Sequence, residues 1–220
     1  GIPFRITNEA LGFDQTYYTD ENGQIILEDL IATNYTVREL ECDKNIKFVL
    51  ITDTEVAVPE DEEITVTMNN KYKRGSLKVI KTFEGKTTVL KGVPFRITCD
   101  ELDYDETVET DENGEILLEN LVVGTYMVQE LGCDATEQFV LSDATEVEVS
   151  ADRISELTLR NLYKRGSIKI IKHFEGQDKP VKGVPFRITN DEFGFDKVYY
   201  TDENGMILVD GLIIGTYKIT

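Results

Sequence analysis

The sequence is poor in the side chains from which enzymes and metal sites are most often built. Its 220 residues include one histidine, His173, three cysteines and no tryptophan, and no two cysteines have the Cys-x-x-Cys spacing. Zinc sites and Cys-His nucleophile pairs need several such side chains close together, so we expect no metal site and no cofactor. No apolar run approaches the ~20 residues that a membrane-spanning helix requires.

Positive charge is also scarce. The chain carries 23 Lys and Arg against 42 Asp and Glu, which gives a formal net charge of -19. Such a surface repels nucleic-acid phosphates and anionic lipid headgroups, so we expect no nucleic-acid partner and no membrane insertion of this segment. Hydrophobic residues make up 40% of the sequence, which is ordinary for a folded domain, and the charge therefore does not indicate disorder.

What the sequence does contain is a long internal repeat. The heptapeptide Gly-Ile/Val-Pro-Phe-Arg-Ile-Thr begins at Gly1, Gly92 and Gly183, which defines a period of 91 residues. This period is close to the size of a small domain and far above that of a solenoid repeat, so each copy is expected to have its own core. We predict a first module at 1–74 that lacks its first strand, a complete middle module at 75–165, and a third module at 166–220 that is truncated at its C-terminus.

The residue pattern of each module is that of β-strands. Apolar and polar residues alternate with a period of two, and β-branched and aromatic residues are frequent. The turn Asp-Glu-Asn-Gly, at 111–114 in the middle module, predicts a tight hairpin with positive φ at Asn-Gly. No helix longer than a turn is indicated, so the fold class is all-β, with tandem antiparallel β-sandwiches. In the middle module, strands are expected near 76–82, 93–99, 104–110, 115–119, 125–131, 137–141, 145–149 and 156–161.

The predicted modules are joined by short links at 73–75 and 164–166. Neither link contains a Ser/Gly-rich tract. A short link restricts the relative orientation of its neighbours, which favours a rod over beads on a flexible string. The alternative is that each link still hinges freely.

Three polar residues of the middle module fall on apolar strand faces. Because side chains alternate along a strand, each shares its face with two hydrophobic residues. The groups are Lys81 with Leu77 and Val79, Glu130 with Tyr126 and Val128, and Asn161 with Leu157 and Leu159. The other modules contain parts of the set: Glu39 behind Tyr35 and Val37, Asn70 behind Ile64, Val66 and Met68, and Lys172 behind Ile168 and Ile170.

Burial of a Lys, a Glu and an Asn costs several kcal/mol unless the groups meet partners. One interpretation is a buried salt bridge with an amide neighbour. Another is chemistry, because an apolar pocket favours a neutral amine and a protonated carboxyl. A neutral amine is a nucleophile, and a carboxyl can polarise the carboxamide and pass protons to the departing ammonia. The product would be a Lys-Asn isopeptide bond between the first and last strands.

Five segments follow one another along the chain: G-S-L-K-V-I-K from Gly75, K-G-V-P-F-R-I from Lys91, T-D-E-N-G-E-I-L-L-E-N-L from Thr110, G-T-Y-M-V-Q-E from Gly124 and N-L-Y-K-R-G-S from Asn161. In these segments and in their order, the sequence resembles the Cna B-type (SpaA-like) repeat domains of Gram-positive surface adhesins and pilins. The resemblance implies a prealbumin-like (transthyretin/Ig-like) sandwich in each module. It also implies an isopeptide bond between Lys81 and Asn161, promoted by Glu130.

The same resemblance gives incomplete sets to the other modules. The first module has Glu39, equivalent to the promoting Glu, and Asn70, but its Lys would precede residue 1. The third has Lys172, but its Glu and Asn would follow residue 220. We therefore expect only the middle module to close the bond within its own fold.

The expected function is a non-enzymatic structural stalk of an extracellular adhesin or pilin-like protein at the bacterial cell surface, anchored in the native protein to the cell wall. Bond formation would be a single-turnover maturation step. Its partners would be neighbouring repeats, with a host or surface ligand bound by another part of the native protein. The alternative is a surface module that binds a host protein or glycan without a cross-link. A carboxylate-based hydrolase would need a pair of acids in a cleft, and nothing in the repeats singles out such a pair.

Four weaker candidates remain. The Asp111–Gly114 turn could start a calcium loop but lacks the distal ligands. Cys42 and Cys133 are equivalent positions, and a Cys99–Cys133 disulfide is conceivable outside the cell, although the first module cannot form its counterpart. His173 is expected at the surface. Two tyrosine pairs, Tyr17 with Tyr18 and Tyr199 with Tyr200, could bind sugar or protein if they were exposed, but one member of each pair should face the core.

Overall fold

The computed structural model describes residues 1–86, 89–176 and 179–220. Over these residues the chain forms nineteen strands and two single 3-10 turns, Asp100–Leu102 and Asp134–Thr136. The expectation of an all-β chain without a helix longer than a turn is confirmed. No helix in this described part is long and apolar enough to cross a membrane.

Each module contributes its own strands. The first has β1 (Pro3–Asn8), β2 (Phe13–Tyr18), β3 (Asn34–Glu39), β4 (Phe48–Val49), β5 (Thr54–Ala57) and β6 (Lys71–Tyr72). The middle has β7 (Arg74–Phe83), β8 (Pro94–Cys99), β9 (Tyr104–Glu109), β10 (Glu115–Val122), β11 (Gly124–Glu130), β12 (Phe139–Val140), β13 (Thr145–Val149) and β14 (Ile154–Tyr163). The third has β15 (Arg165–Ile171), β16 (Pro185–Asn190), β17 (Phe195–Tyr200), β18 (Met206–Ile213) and β19 (Lys218–Ile219).

The middle module is a sandwich of two four-stranded sheets. Their strand orders are β10-β7-β14-β12 and β13-β11-β8-β9. Inward-facing side chains of both sheets form one core, because alternate residues along each strand point to the same face. Its fully buried members include Leu77, Val79, Val93, Phe95, Ile97, Val128 and Phe139. All eight strands expected from the sequence are present, and the sandwich prediction is confirmed.

The pairing of the first and last strands is the exception to the antiparallel pattern. β14 runs parallel to β7, with Lys81 opposite Leu159 and Asn161 opposite Phe83. The other strand pairs of the middle module are antiparallel. The parallel register brings the C-terminal ends of β7 and β14 together, and this is where Lys81 and Asn161 lie.

The turn at Asp111–Gly114 is tight, but the hairpin prediction is wrong. β9 before it pairs with β8, whereas β10 after it pairs with β7 in the opposite sheet. The turn therefore crosses from one sheet to the other. Gly114 alone has a positive φ, of 70°, and a Cβ there would lie 2.7 Å from the Cβ of Val89. The Asn-Gly signal identified a glycine turn correctly and could not show which strands it joins.

The last part of the first module also departs from the sequence pattern. We expected a strand through 64–70, but these residues are not in a strand, and Ile64 and Val66 are 47% and 43% exposed. The equivalent strand of the middle module, β14, is held by its pairing with β7. Among the described residues no strand pairs with 64–70, so its apolar face is left uncovered there.

The links between modules are one residue long and are hydrogen-bonded on both sides. Lys73 separates β6 from β7, and Lys164 separates β14 from β15. The Lys73 N–H donates to the Lys47 carbonyl at 2.8 Å, and the Lys73 carbonyl accepts from the Val123 N–H at 3.1 Å. At the second link, the Lys164 N–H donates to the Gln138 carbonyl at 2.9 Å, and the Lys164 carbonyl accepts from the Ile214 N–H at 3.0 Å. The link residue is thereby tied to both of its neighbours, which favours the rod over the free hinge.

Candidate functional site

Lys81 lies inside the middle module with no exposed surface. It is on β7, behind the fully buried Leu77 and Val79, as the alternation predicts. Its backbone N–H donates to the Gly114 carbonyl at 2.9 Å, so the sheet-crossing turn fixes this part of β7. The ammonium nitrogen lies 5.4 Å from the centre of the Phe83 ring, close enough for a cation–π contact.

Glu130 and Asn161 meet Lys81 at the end of the sandwich. Glu130 is 4% and Asn161 is 1% exposed. Lys81 Nζ donates to Glu130 Oε2 at 3.0 Å, and it also donates to Asn161 Oδ1. Asn161 Nδ2 donates to Glu130 Oε1 at 2.7 Å. One carboxylate therefore contacts the amine with one oxygen and the carboxamide nitrogen with the other. The three residues singled out by face alternation form one cluster.

Ser142 is a fourth member of this cluster, and sequence reasoning missed it. It lies in the connection between β12 and β13. Its backbone N–H donates to Glu130 Oε2 at 2.8 Å. Its hydroxyl accepts from Lys81 Nζ at 2.9 Å and donates to Asn161 Oδ1 at 2.8 Å. The strand period does not extend into a loop, and the first module has Ile51 at the equivalent position, so no repeated pattern marked this serine.

The electrostatics of the cluster are set by burial. Desolvation lowers the pKa of Lys81, while the hydrogen bond and the charge of Glu130 act in the opposite direction. Lys81 has three ammonium protons and three acceptors: Glu130 Oε2, Ser142 Oγ and Asn161 Oδ1. Every buried side-chain nitrogen and oxygen in the described residues has a hydrogen-bond partner. The buried charge is therefore compensated, as such a group must be.

The first module holds an incomplete version of this site. Glu39 is 5% exposed, and its Oε2 accepts from Asn70 Nδ2 at 2.6 Å and from the Ile51 N–H at 3.0 Å. Its Oε1 accepts from Asn45 Nδ2 at 3.0 Å, a contact that the sequence did not predict. Glu39 and Asn70 are thus brought together as in the middle module, without a lysine.

Lys172 of the third module is not part of such a cluster. It is partly exposed, and its Nζ lies 4.5 Å from the centre of the Phe174 ring. The positions equivalent to Glu130 and Asn161 fall beyond residue 220. The neighbouring His173 is exposed, as expected.

The remaining candidates do not join this cluster. The Oδ1 atom of Asp111 accepts from the backbone N–H groups of Asn113 and Glu115, at 2.8 and 2.9 Å, so this carboxylate stabilises its own turn. Tyr18 and Tyr200 are 66% and 65% exposed, whereas Tyr199 packs against the core of the third module. The cysteines at positions 42, 99 and 133 are all free, and the Cys99–Cys133 disulfide is not formed.

The fold and the sequence comparison agree on the class of the chain, which is a series of prealbumin-like domains. It belongs to the SpaA family of prealbumin-like fold domains, whose model matches residues 1–72, 75–163 and 166–220. The family resemblance drawn from the sequence is therefore confirmed. A search of curated proteins gives no match.

Several solved structures are similar to the chain. The Bacillus anthracis TIE protein is 25% identical over 99% of this chain, with a TM-score of 0.59, and this chain spans 43% of its length. The minor pilin GBS52 of Streptococcus agalactiae is 16% identical, with a TM-score of 0.39, over 74% of this chain and 83% of that one. The shaft pilin SpaA of Lactobacillus rhamnosus GG is 13% identical, with a TM-score of 0.34, over 66% of this chain and 86% of that one.

Proposed function

We propose that the chain is a length of structural stalk from an adhesin or pilin-like protein of a bacterial cell surface, stiffened by an isopeptide bond between Lys81 and Asn161. The observation that carries the proposal is the buried contact of Lys81 Nζ with Glu130 and Asn161. Membership of the SpaA family supports the structural role, and so do the hydrogen bonds that tie each link residue to both neighbouring modules. Cell-wall anchoring and a ligand held by another part of the native protein belong to the same proposal.

The Lys81 ammonium must lose two protons, and the carboxamide nitrogen of Asn161 must depart as ammonia. Glu130 Oε2 accepts from the amine and takes the first proton, which leaves a nucleophilic lone pair on Nζ. The Nζ–Cγ bond forms as the Cγ–Nδ2 bond of Asn161 breaks. Glu130 Oε1 already faces Nδ2 at 2.7 Å, so the carboxyl is placed to pass this proton to the leaving nitrogen. The carboxylate then takes the second proton from Nζ, so the products are a secondary amide, ammonia and a protonated Glu130, and the reaction happens once.

Burial serves this chemistry in two ways. The lowered pKa of Lys81 reduces the free energy needed to form the neutral amine. The contacts also hold the reacting groups against each other before reaction, which removes most of the entropic cost of bringing them together. A closed bond would restrict the unfolded chain and stabilise the module by about 3 to 5 kcal/mol in the loop-closure description used for disulfides.

Intact-mass measurement of the purified chain tests the proposal. Bond closure expels ammonia, so we expect a mass about 17 Da below that of the sequence, and the full mass in Lys81→Ala and Asn161→Ala. Lys172→Ala is the matched control and should keep the deficit, because Lys172 has no partner Glu or Asn in its module.

A second readout is needed because Asn-Gly pairs also lose ammonia when they form succinimides. The chain has three such pairs, at 22–23, 113–114 and 204–205. Peptide mapping should therefore find the peptides of Lys81 and Asn161 joined. A parent chain of full mass, or a deficit that persists in Lys81→Ala, would contradict the proposed bond.

A further inference from the structure

We infer that Ser142 is a catalytic residue of the proposed cross-linking reaction, in which its hydroxyl stabilises the carboxamide oxygen of Asn161 as negative charge develops there. This inference rests on the proposed function, because it concerns the same buried cluster. Ser142 Oγ contacts both reacting side chains: it accepts from Lys81 Nζ at 2.9 Å and donates to Asn161 Oδ1 at 2.8 Å.

Among the described residues, the Ser142 hydroxyl is the one hydrogen-bond donor that can stay on Asn161 Oδ1 during the reaction. Asn161 Oδ1 accepts hydrogen bonds from two donors, Lys81 Nζ and Ser142 Oγ. Lys81 is the nucleophile, and its nitrogen must turn its lone pair to the carboxamide carbon, so it cannot remain the donor that neutralises the oxygen. Glu130 is an acceptor in its contacts with the other members. The serine is therefore the donor that stays on Oδ1 through the reaction.

The chemical step shows what this donor contributes. As the Nζ lone pair forms a bond with Cγ, the carbonyl π electrons move onto Oδ1 and produce an oxyanion. Collapse restores the carbonyl, breaks the Cγ–Nδ2 bond and releases ammonia with the proton carried by Glu130, and the Glu130 carboxylate then takes the surplus proton of Nζ. Ser142 keeps its own proton throughout and strengthens its hydrogen bond only while Oδ1 is charged. In a site whose reacting side chains are 0% and 1% exposed, a fixed donor of this kind is worth far more than in water.

The backbone and the side chain of Ser142 make separable contributions. The backbone N–H holds Glu130 Oε2, and in the first module the N–H of Ile51 holds Glu39 in the same way at 3.0 Å. Ile51 has no hydroxyl, yet its module still brings its Glu and Asn together. The hydroxyl of Ser142 is therefore not needed to assemble the carboxylate and carboxamide. Its distinctive contacts are those with the reacting atoms.

Substitution to alanine removes the hydroxyl and leaves the backbone donor in place. The chain is purified unfolded in urea. Its mass at time zero must equal that of the sequence, which shows that the bond is still open. Dilution of the urea then starts folding and bond closure. Aliquots are quenched and their mass loss is followed. We expect Ser142→Ala to close the bond about 10²-fold more slowly than the parent, as for removal of one oxyanion donor, and to reach the same final mass. Ser142→Thr keeps a hydroxyl and should recover most of the rate.

Ser155→Ala is the matched control. Ser155 is in the same module, and its hydroxyl donates to the Glu148 carbonyl at 2.6 Å, away from the cluster. Its rate should equal that of the parent. Far-UV circular dichroism at each time point separates slow folding from slow chemistry, since Ser142→Ala should fold at the rate of the parent and lag only in mass loss.

The outcomes distinguish this inference from the function on which it rests. A parent that loses ammonia from Lys81 and Asn161, with Ser142→Ala equally fast, would overturn the role of Ser142 and leave the cross-link intact. A parent chain that keeps the full mass would contradict both the cross-link and the role of Ser142. If Ser142→Ala does not fold, Ser142→Cys preserves the volume with a weaker donor; slower closure in this variant supports the inference, and parental speed refutes it.

Discussion

The first and middle modules both place an asparagine amide against a buried glutamate, but the amide shares its carboxylate oxygen with the loop N–H in the first module and takes the other oxygen in the middle one. In both, the Glu accepts from the Asn side chain and from a backbone N–H of the loop before the next strand. The middle module adds Lys81 and the Ser142 hydroxyl. In residues 1–74 the Glu and Asn side chains are therefore in contact without a cation among the described partners of the carboxylate.

The two modules also differ at one buried position beside the carboxylate. In the first, Asn45 accepts from the Cys42 N–H at 2.7 Å and donates to Glu39 Oε1 at 3.0 Å. The equivalent Thr136 accepts from the Cys133 N–H at 3.1 Å, and its hydroxyl donates to the Cys133 carbonyl. Thr136 stabilises the same turn but does not contact Glu130. The second carboxylate oxygen is thereby left for the carboxamide of Asn161.

The largest difference is expected when each glutamate is removed. Glu130→Ala should abolish the loss of ammonia and destabilise the middle module by at least about 3 to 5 kcal/mol, because the stabilisation by the cross-link is lost and the Lys81 charge is left buried without its partner. Glu39→Ala removes hydrogen bonds to neutral donors only, at a cost of about 1 to 3 kcal/mol in the first module, and should keep the mass deficit. Urea unfolding read by proteolysis, with peptides assigned to each module, measures both effects.

Equal losses of stability in the two variants would mean that neither the cross-link nor the pairing of Lys81 with Glu130 stabilises the middle module, and the comparison between the modules would fail. Retention of the mass deficit in Glu130→Ala would remove Glu130 from the reaction. The two readouts are independent, so one can fail without the other.

The pH dependence of an uncross-linked middle module gives a smaller effect with a definite sign. Asn161→Ala cannot form the bond and should keep the burial that holds the pKa of Lys81 below its ordinary value of 10.5 in the folded chain, while the unfolded chain has the ordinary value. Between the two values the unfolded state binds more protons, so the free energy of unfolding rises with pH, by at most about 1.4 kcal/mol per unit. The same urea assay over pH 7 to about 10 follows this slope.

The double variant Lys81→Met with Asn161→Ala is the control for that slope. Subtracting its free energy cancels the other titrating groups, including Tyr126, whose pKa burial raises to about 12. The difference in the free energy of unfolding between the two variants should grow with pH when it is read from peptides of the middle module. It should be zero when it is read from peptides of the first module. A falling difference would show that the charge of Glu130 outweighs desolvation at Lys81.

The smallest predicted effect comes from transferring Asn45 into the middle module. Thr136→Asn should place an amide donor on Glu130 Oε1, in competition with Asn161 Nδ2. One competing neutral hydrogen bond is worth about 0.5 to 1.5 kcal/mol, so closure should slow by about twofold to tenfold. Thr136→Val, which adds no donor, is the control in the refolding and mass assay. An unchanged rate in Thr136→Asn would mean that this position does not separate the modules.

Strand periodicity predicted the strands of the middle module and the inward positions of Lys81, Glu130 and Asn161. This succeeded because side-chain alternation is a local property of an extended chain. The parallel pairing of β7 with β14 and the sheet-crossing turn at Asp111–Gly114 were not predictable in this way, because each depends on which distant strands pair.

The loop residues of the two sites were missed for a related reason. Ser142 and Asn45 lie outside the strands, where no alternation applies. At both positions the first and middle modules also have different residues, Ile51 and Thr136, so comparison of the repeats concealed them. Side chains that act from loops are found only when the fold has placed the loop against the strands.

The parallel pairing of β7 and β14 determines how tension would pass through the middle module. A pull along the chain enters at the start of β7 and leaves at the end of β14. In a parallel pair these points lie at opposite ends, so the strands are loaded in shear and their hydrogen bonds share the force. With the proposed bond closed, the force path runs along β7 to Lys81 and crosses to Asn161, two residues before β14 ends. The intervening chain, including the whole second sheet, would then bear no load.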